Sequence, residues 1–390
     1  MRGVQAALAG LGLYTGVPDA DYGDGTAAAV ASFQRDQGLA ADAVLGPSTA
    51  EALARALDEF AVTEAAAAAR GLDEAVRARR LPAGEARRYR SILAAAREDL
   101  ERLPLDARGY LAIVLGHVSA QAADYDRPRA LSLFGMLEEN RQRLASGPLP
   151  ARPRDVVGDD GVVYRFFPAH GFQVHPLASF ARLNGLAKGG RRAATERLAK
   201  AVVARAVPSS GMLTWEYYFP FGGPPRWTSG LAQGVGAQAL ARAGVRLDER
   251  ELLDAARRAF RVVPASLSRS LAGGTWIREY SYSDMAILNA QLQTLVSLGE
   301  YVRITGDAEG RAVVEGLAHA TRALLTRFDT GCWSVYALDG NNATPGYHSY
   351  HISLLNKLGD QTGESLWLTT AERWAAFRQA SPGGVAGACT

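Results

Sequence analysis

Apolar residues recur at helical spacing along most of this chain. Val4, Leu8 and Leu11 mark a first short helix, and Gly12 and Gly16 punctuate a turn around Tyr14. The polar run from Pro18 to Gly25 leads to Thr26, a predicted N-cap for a helix that turns Val30 and Phe33 inward and ends at Gly38. Gly46-Pro47-Ser48-Thr49 opens a third helix with Leu53 and Leu57 inward. Residues 58–145 are rich in Ala, Leu, Arg and Glu. Pro82-Ala83-Gly84 and Pro104-Leu105-Asp106 divide them into about three helices. Gly147 to Pro153 reads as a stiff linker. Val156-Val157, Asp159-Asp160-Gly161 and Val162 to Phe167 read as a short hairpin. Beyond about residue 170 the period is again helical. Helices are expected near 175–188, 191–206, 229–243, 247–262, 284–304, 308–327, 348–358 and 363–379. Paired helices with short Gly- or Asp-containing loops predict a mainly α chain whose C-terminal part is an incomplete α/α toroid. Such a toroid gathers its active residues on the loops at one end.

Three units are expected: a small three-helix module at 1–57, a helical spacer at 58–150 and the toroid with its hairpin at 151–390. A length of 390 residues accommodates two or three domains. With 48% apolar and 21% charged residues, the chain is too apolar to be disordered. No apolar run reaches membrane-spanning length. Two cysteines, Cys332 and Cys389, exclude a disulfide framework and a four-cysteine zinc site. A formal charge of +3 implies no nucleic-acid partner, and residues 1–57 carry three arginines against six acidic residues. Arginine dominates the basic side chains. That composition fits a GC-rich bacterial coding bias, and guanidinium forks also suit carboxylates and sulfates.

The N-terminal segment resembles the peptidoglycan-binding-like domain. The resemblance rests on Val4-Gln5, Leu11-Gly12, Tyr14, Asp21-Tyr22-Gly23, Thr26, Ala29-Val30, Phe33-Gln34, Gly38-Leu39, Asp42, Leu45-Gly46-Pro47 and Thr49. It implies peptidoglycan or another cell-wall glycan as a ligand, and so a place outside the cytoplasm: secreted, periplasmic or wall-associated. The chain begins without an apolar signal core.

Aromatic and charged clusters fall between the predicted helices. They run from Thr214 to Gly234, from Trp276 to Tyr282, and from Phe328 to His351. Sugar rings stack on aromatic faces while OH and NH groups bond hydroxyls, so this density of Trp and Tyr suits carbohydrate. His117 lies among apolar neighbours and reads as a core histidine. His170 and His175 are candidates for a groove rim. His348 and His351, three apart, fall on one helix face, where they orient tyrosines or pack; a metal would lack a third ligand.

The C-terminal part resembles the C-terminal domain of the D-glucuronyl C5-epimerases, over about 210–380 and more weakly from 160. The matching strings are Trp227 to Gly234, Glu279-Tyr280-Ser281, Leu288-Asn289, Phe328 to Gly331, Tyr336, Tyr347-His348 and His351-Ile352. The segment before 160 departs from the animal enzymes, being too helical and short for their β-rich domain. The resemblance implies conversion of D-glucuronate to L-iduronate in a heparosan-like or other uronate-containing polysaccharide. It places acid/base or substrate roles on Glu279, Tyr280, Tyr336 and Tyr347. Substrate contacts are expected from Arg226, Trp227, Gln233, Trp276, Arg278, His348 and His351. No cofactor and no metal is called for, and a homodimer is compatible with the reading.

The chemistry stands apart from the resemblance. Inverting carbon 5 of a uronate removes a weakly acidic proton next to a carboxylate and replaces it from the opposite face. Two acid/base groups must flank the ring, and donors must stabilise the enediolate-like intermediate. Glu279 can serve one face and Tyr347 the other, with Tyr280 and Tyr336 donating. Arg226 or Arg278 can neutralise the carboxylate. A polysaccharide lyase would begin with the same abstraction and then expel the substituent at carbon 4. A glycoside hydrolase would pair Glu216 with Glu279. A non-catalytic glycan-binding protein would have lost the acid/base residues, yet Glu279 and Tyr347 are present.

Overall fold

The computed structural model describes residues 1–147, 149–381 and 383–384. The chain parts into two compact units: residues 1–175 with 217–225, and residues 176–216 with 226–390.

The first unit runs α1 (Arg2–Gly10), α2 (Asp24–Asp36), α3 (Pro47–Arg77), α4 (Ala83–Arg102), α5 (Leu105–Ser119), α6 (Arg127–Ala145), β1 (Arg154–Val157), β2 (Val163–Phe167) and β3 (Gly171–Val174). Two glutamines shape its start. Gln5 Nε2 donates to Asp19 Oδ1 (2.8 Å), Asp21 O (2.9 Å) and Thr26 Oγ1 (3.1 Å), while Ala20 N donates to Gln5 Oε1 (2.9 Å). Gln34 repeats the arrangement with Asp42 Oδ1 (2.9 Å), Val44 O (3.0 Å), Thr49 Oγ1 (3.1 Å) and Ala43 N (2.9 Å). Each loop turns through a left-handed alanine, Ala20 at φ 77° and Ala43 at φ 57°. The clamps give the two buried glutamine amides the partners that buried polar groups require.

The expected boundary at residue 57 falls inside α3. The buried stripe of that helix, Leu53, Leu57, Ala61, Ala65, Ala68 and Leu72, crosses it without a break. In addition α1 lies directly on α5, where a Cβ on Gly109 would stand 2.4 Å from Ala7 N. The expected boundary at 150 falls ahead of β1. The hairpin gains a third strand in the antiparallel order β1-β2-β3, and Asn140 of α6 ties it down. Asn140 Nδ2 donates to Phe172 O (2.6 Å), and Phe172 N donates to Asn140 Oδ1 (2.9 Å). The hairpin therefore packs with the preceding helices and falls in the first unit. Asp126 caps α6, so residues 58–145 hold one helix more than expected. Pro148 of the expected linker lies outside the described residues.

The second unit runs α7 (Pro176–Lys188), α8 (Arg192–Ala204), β4 (Val207–Ser209), β5 (Met212–Thr214), α9 (Gly230–Leu247), α10 (Arg250–Ser266), β6 (Ser268–Leu271), β7 (Gly274–Ile277), α11 (Leu288–Thr305), α12 (Ala308–Leu324), α13 (Pro345–Thr362) and α14 (Ser365–Ala380). These are four helical hairpins. Helices α7, α9, α11 and α13 pack in succession, each backed by its partner, which gives the incomplete α/α toroid. Small residues on α9 permit close approach: a Cβ on Gly236 would meet Phe180 of α7 at 2.8 Å, and one on Gly244 would meet Leu253 of α10 at 3.0 Å. Helix α13 starts three residues earlier than expected, because Thr344 caps it and Pro345 takes its first position. Successive inner helices run the same way, so the loops before α9, α11 and α13 gather at one end. No helix among the described residues is long and apolar enough to cross a membrane.

Candidate active site

That end holds the acid/base candidates. Glu279 follows β7. Ser229 Oγ donates to its Oε1 (3.3 Å), and its buried Oε2 has no hydrogen-bond partner. Burial pushes the Glu279 carboxyl up to about 8, against a smaller opposing effect of the Ser229 hydrogen bond. Tyr280 stands edge-on to Trp227, with ring centroids 5.5 Å apart, and lies parallel to Tyr282 at the same separation. Tyr336 arrives on the loop before α13. Leu288 N donates to Tyr336 O (3.0 Å) and Leu338 N to Ala286 O (2.9 Å), so that loop is stitched to the start of α11. Tyr336 shares hydrogen bonds with Tyr347 and Tyr280. Burial, with Glu279 and the neighbouring phenols nearby, raises Tyr280 and Tyr336 well above the ordinary phenol range. Tyr347 sits in the first turn of α13 and is 40% exposed. Glu279, Tyr280, Tyr336 and Tyr347 thus converge, although 68 positions separate the first from the last in sequence.

Residues 210–376 match the family model of the D-glucuronyl C5-epimerase C-terminus. Residues 1–53 match that of the peptidoglycan binding domain. A D-glucuronyl C5-epimerase of Caenorhabditis elegans is 25% identical over 179 residues, covering 40% of this chain and 29% of that protein. The N-acetylmuramoyl-L-alanine amidase CwlM of Mycobacterium tuberculosis is 48% identical over 50 residues, 13% of this chain and 12% of that protein. The chain thus spans less than a third of the length of either relative. A solved D-mannose isomerase superposes with a TM-score of 0.42 at 14% identity, covering 54% of this chain and 61% of that one. The C5-epimerase match supports a carbohydrate-modifying role.

Within the epimerase-like domain, several residues expected at the substrate are instead packed inside. Gln233 Nε2 donates to Leu213 O (2.5 Å) and Ala259 O (3.1 Å), tying α9 to β5 and α10. Trp276 is fully buried and lies parallel to Phe328, with centroids 5.6 Å apart. His348 stacks on Trp333 at 3.7 Å. Ser334 N donates to His348 Nδ1 (3.2 Å), so Nε2 carries the proton and donates to Trp374 O (3.0 Å). Ser334 Oγ also lies 2.9 Å from His351 Nδ1, and both histidines are fully buried. They fix α13 against α14 and the loop before it, rather than facing a substrate. Trp227 is buried against Tyr280 and Tyr282. Arg278 Nε donates to Asp284 Oδ1 (2.7 Å), and Arg226 is exposed at a left-handed φ of 67°. Among the described residues, no group of three or more His, Cys, Asp and Glu could hold a metal ion. Cys389 lies outside the described residues, and with it any pairing with Cys332.

In the first unit, His175 is buried between Phe167 and Tyr217, and His170 packs against Phe219 and His117. Burial pushes His175 down to about 3 and His170 to about 4.

Two further residues lie beside these acid/base candidates. Tyr350 Oη donates to Gln293 Oε1 (2.7 Å), and burial with Glu279 and Tyr347 nearby pushes its phenol up to about 12. Its place three residues after Tyr347 on α13 was the available signal. Ser229 caps α9, and its bond to Glu279 joins residues 50 positions apart, with no local signal in the sequence.

Proposed function

We propose that the chain is a uronyl C5-epimerase, converting D-glucuronate to L-iduronate within a heparosan-like polysaccharide. The observation that carries this reading is the convergence of a buried carboxyl with three tyrosines in the segment matching the epimerase C-terminus. The C5–H bond breaks, and its proton passes to a base on one face. The electron pair moves into the adjacent carboxylate to form an enediolate. A proton then reaches carbon 5 from the opposite face. Glu279, at about 8, sits near enough to neutral pH to accept a proton and return it. Tyr347 serves the other face, and its exposure allows its proton to exchange with water. Tyr280 and Tyr336, held protonated by burial, donate to the developing enediolate.

Residues 1–57 then serve as a wall-glycan module, and the protein works outside the cytoplasm. The test is incubation of uronate polymers in deuterated water. Deuterium at carbon 5 of an intact chain is expected. Cleavage with a conjugated uronate absorbing at about 232–235 nm would make it a lyase, since a lyase shares only the abstraction step. No change in any polymer would leave only glycan binding. Recovery of the protein solely from cytosol would overturn the assigned compartment.

A further inference from the structure

The loop that opens α9 does more than cap a helix. Ser229 Oγ accepts from Ala232 N (3.0 Å), which leaves the hydroxyl proton for Glu279 Oε1 (3.3 Å). The surrounding backbone holds both partners. Gly230 N donates to Arg278 O (3.0 Å), Ser281 N to Thr228 O (2.9 Å) and Thr228 N to Ser281 Oγ (3.1 Å). This contact needs glycine: a Cβ on Gly230 would stand 2.4 Å from Arg278 O and 2.7 Å from the Ile277 side chain. Residues 228–230 therefore clamp residues 278–281, and Glu279 is the side chain inside the clamp.

We propose that Ser229 is the positioning residue for Glu279, fixing Oε1 and with it the orientation of a carboxyl whose Oε2 has no hydrogen-bond partner. This rests on the epimerase reading. The hydroxyl and the positive end of α9 both favour the ionised carboxylate. Burial opposes them, and the phenols of Tyr280, Tyr282, Tyr336 and Tyr350 stand near the carboxyl, with Arg278 the preceding residue, paired to Asp284. The two oxygens are thereby made unequal. One is fixed by a donor and the other has no protein partner.

The test compares the full-length wild type with Ser229→Ala, Ser229→Gly and Ser229→Thr. Glycine is well tolerated at an N-cap and removes the hydroxyl, so it stands in if the alanine variant fails to fold. In protein labelled with ¹³C at its glutamate carboxyls, and assigned with Glu279→Gln, the Glu279 titration is followed directly. Loss of the hydroxyl should move its midpoint up by about 1 pH unit, and threonine should restore it. Exchange at carbon 5 should fall about tenfold in kcat with KM little changed, and its Glu279-dependent limb should move by the same interval. An unmoved midpoint in the alanine or glycine variant would overturn the positioning role and leave the epimerase reading intact. Absence of carbon 5 exchange in the wild type would remove the epimerase reading, while the titration would still decide whether Ser229 holds Glu279.

Discussion

The rings of Tyr336 and Tyr347 meet with centroids 4.8 Å apart, tilted by 60°. Tyr347 is on the open side and Tyr336 behind it, joined to Tyr280. The two should not be equivalent. Tyr347→Phe should lower exchange at carbon 5 by about 10²–10⁴-fold, the usual worth of a positioned acid/base group. The loss should differ between D-glucuronate and L-iduronate substrates. Tyr336→Phe keeps both flanking groups and should cost less. Rates on the two epimers, measured separately in deuterated water, check this, and equal losses for both variants on both epimers would contradict it.

Glu279→Gln should separate activity from stability. It should lower exchange by about 10²–10⁴-fold while leaving polymer binding in place. It should also stabilise the fold at high pH. The folded carboxyl titrates near 8 rather than the ordinary 4.5, so the native state holds a proton that the unfolded chain gives up between those values. The stability tied to that proton is complete below about 4.5 and is lost as pH rises through about 8. The amide has none to lose, so its advantage at pH 8 should be on the order of 2–4 kcal/mol and vanish near pH 4.5. Thermal melts across pH give the answer.

Burial pushes His351 down to about 3, a base kept neutral in the folded state. Here the sign is reversed: its contribution is complete above about pH 6.5 and lost as pH falls toward 3. His117, His170 and His175 act alike, pushed down to about 3 to 4. Stability should therefore fall as the medium is acidified below 6.5. In His351→Gln the slope should be shallower by about 1.4 kcal/mol per pH unit, the worth of one proton. Denaturant titrations at pH 7, 6 and 5 would measure it.

Gln34→Ala removes the three bonds that hold the loop from Asp42 to Val44 and a fourth to Thr49 of α3. The expected cost is about 1–2 kcal/mol, since the buried Thr49 and an exposed loop lose their bonds to Gln34 together. The carboxyl of Asp42, held below its usual range by Val44 N–H and Gln34, should move back up. Gln5→Ala should behave alike at the first loop. Because α3 runs unbroken from this module into the helices beyond it, both variants should lower the stability of the whole first unit. A melt confined to residues 1–57 would show that the module unfolds alone.

The helices were legible because their causes are local. Apolar spacing and the prolines at 47, 82 and 104 act within a turn or two, and the predicted toroid helices lie within a few residues of the observed ones; Thr26, expected to cap α2, instead lies inside a helix that starts at Asp24 behind Gly23. The aromatic loops were legible for the same reason, and so were the strings carrying Glu279, Tyr280, Tyr336 and Tyr347. What the sequence could not decide is which neighbours face the site. Tyr347 and His348 are adjacent on α13, yet one is exposed and the other is sealed between Trp333 and Trp374. Trp227 and Trp276 look alike in sequence, but only packing assigns Trp276 to Phe328. The unbroken α3, the hairpin's attachment through Asn140 and the Ser229–Glu279 bond likewise join residues 30 to 60 positions apart or carry one helix past an expected boundary. Local preferences fix where a helix begins and which stripe is apolar. The direction each polar or aromatic side chain finally takes is set by long-range packing, where the cost of an unpartnered buried group selects among arrangements that the local sequence leaves equal.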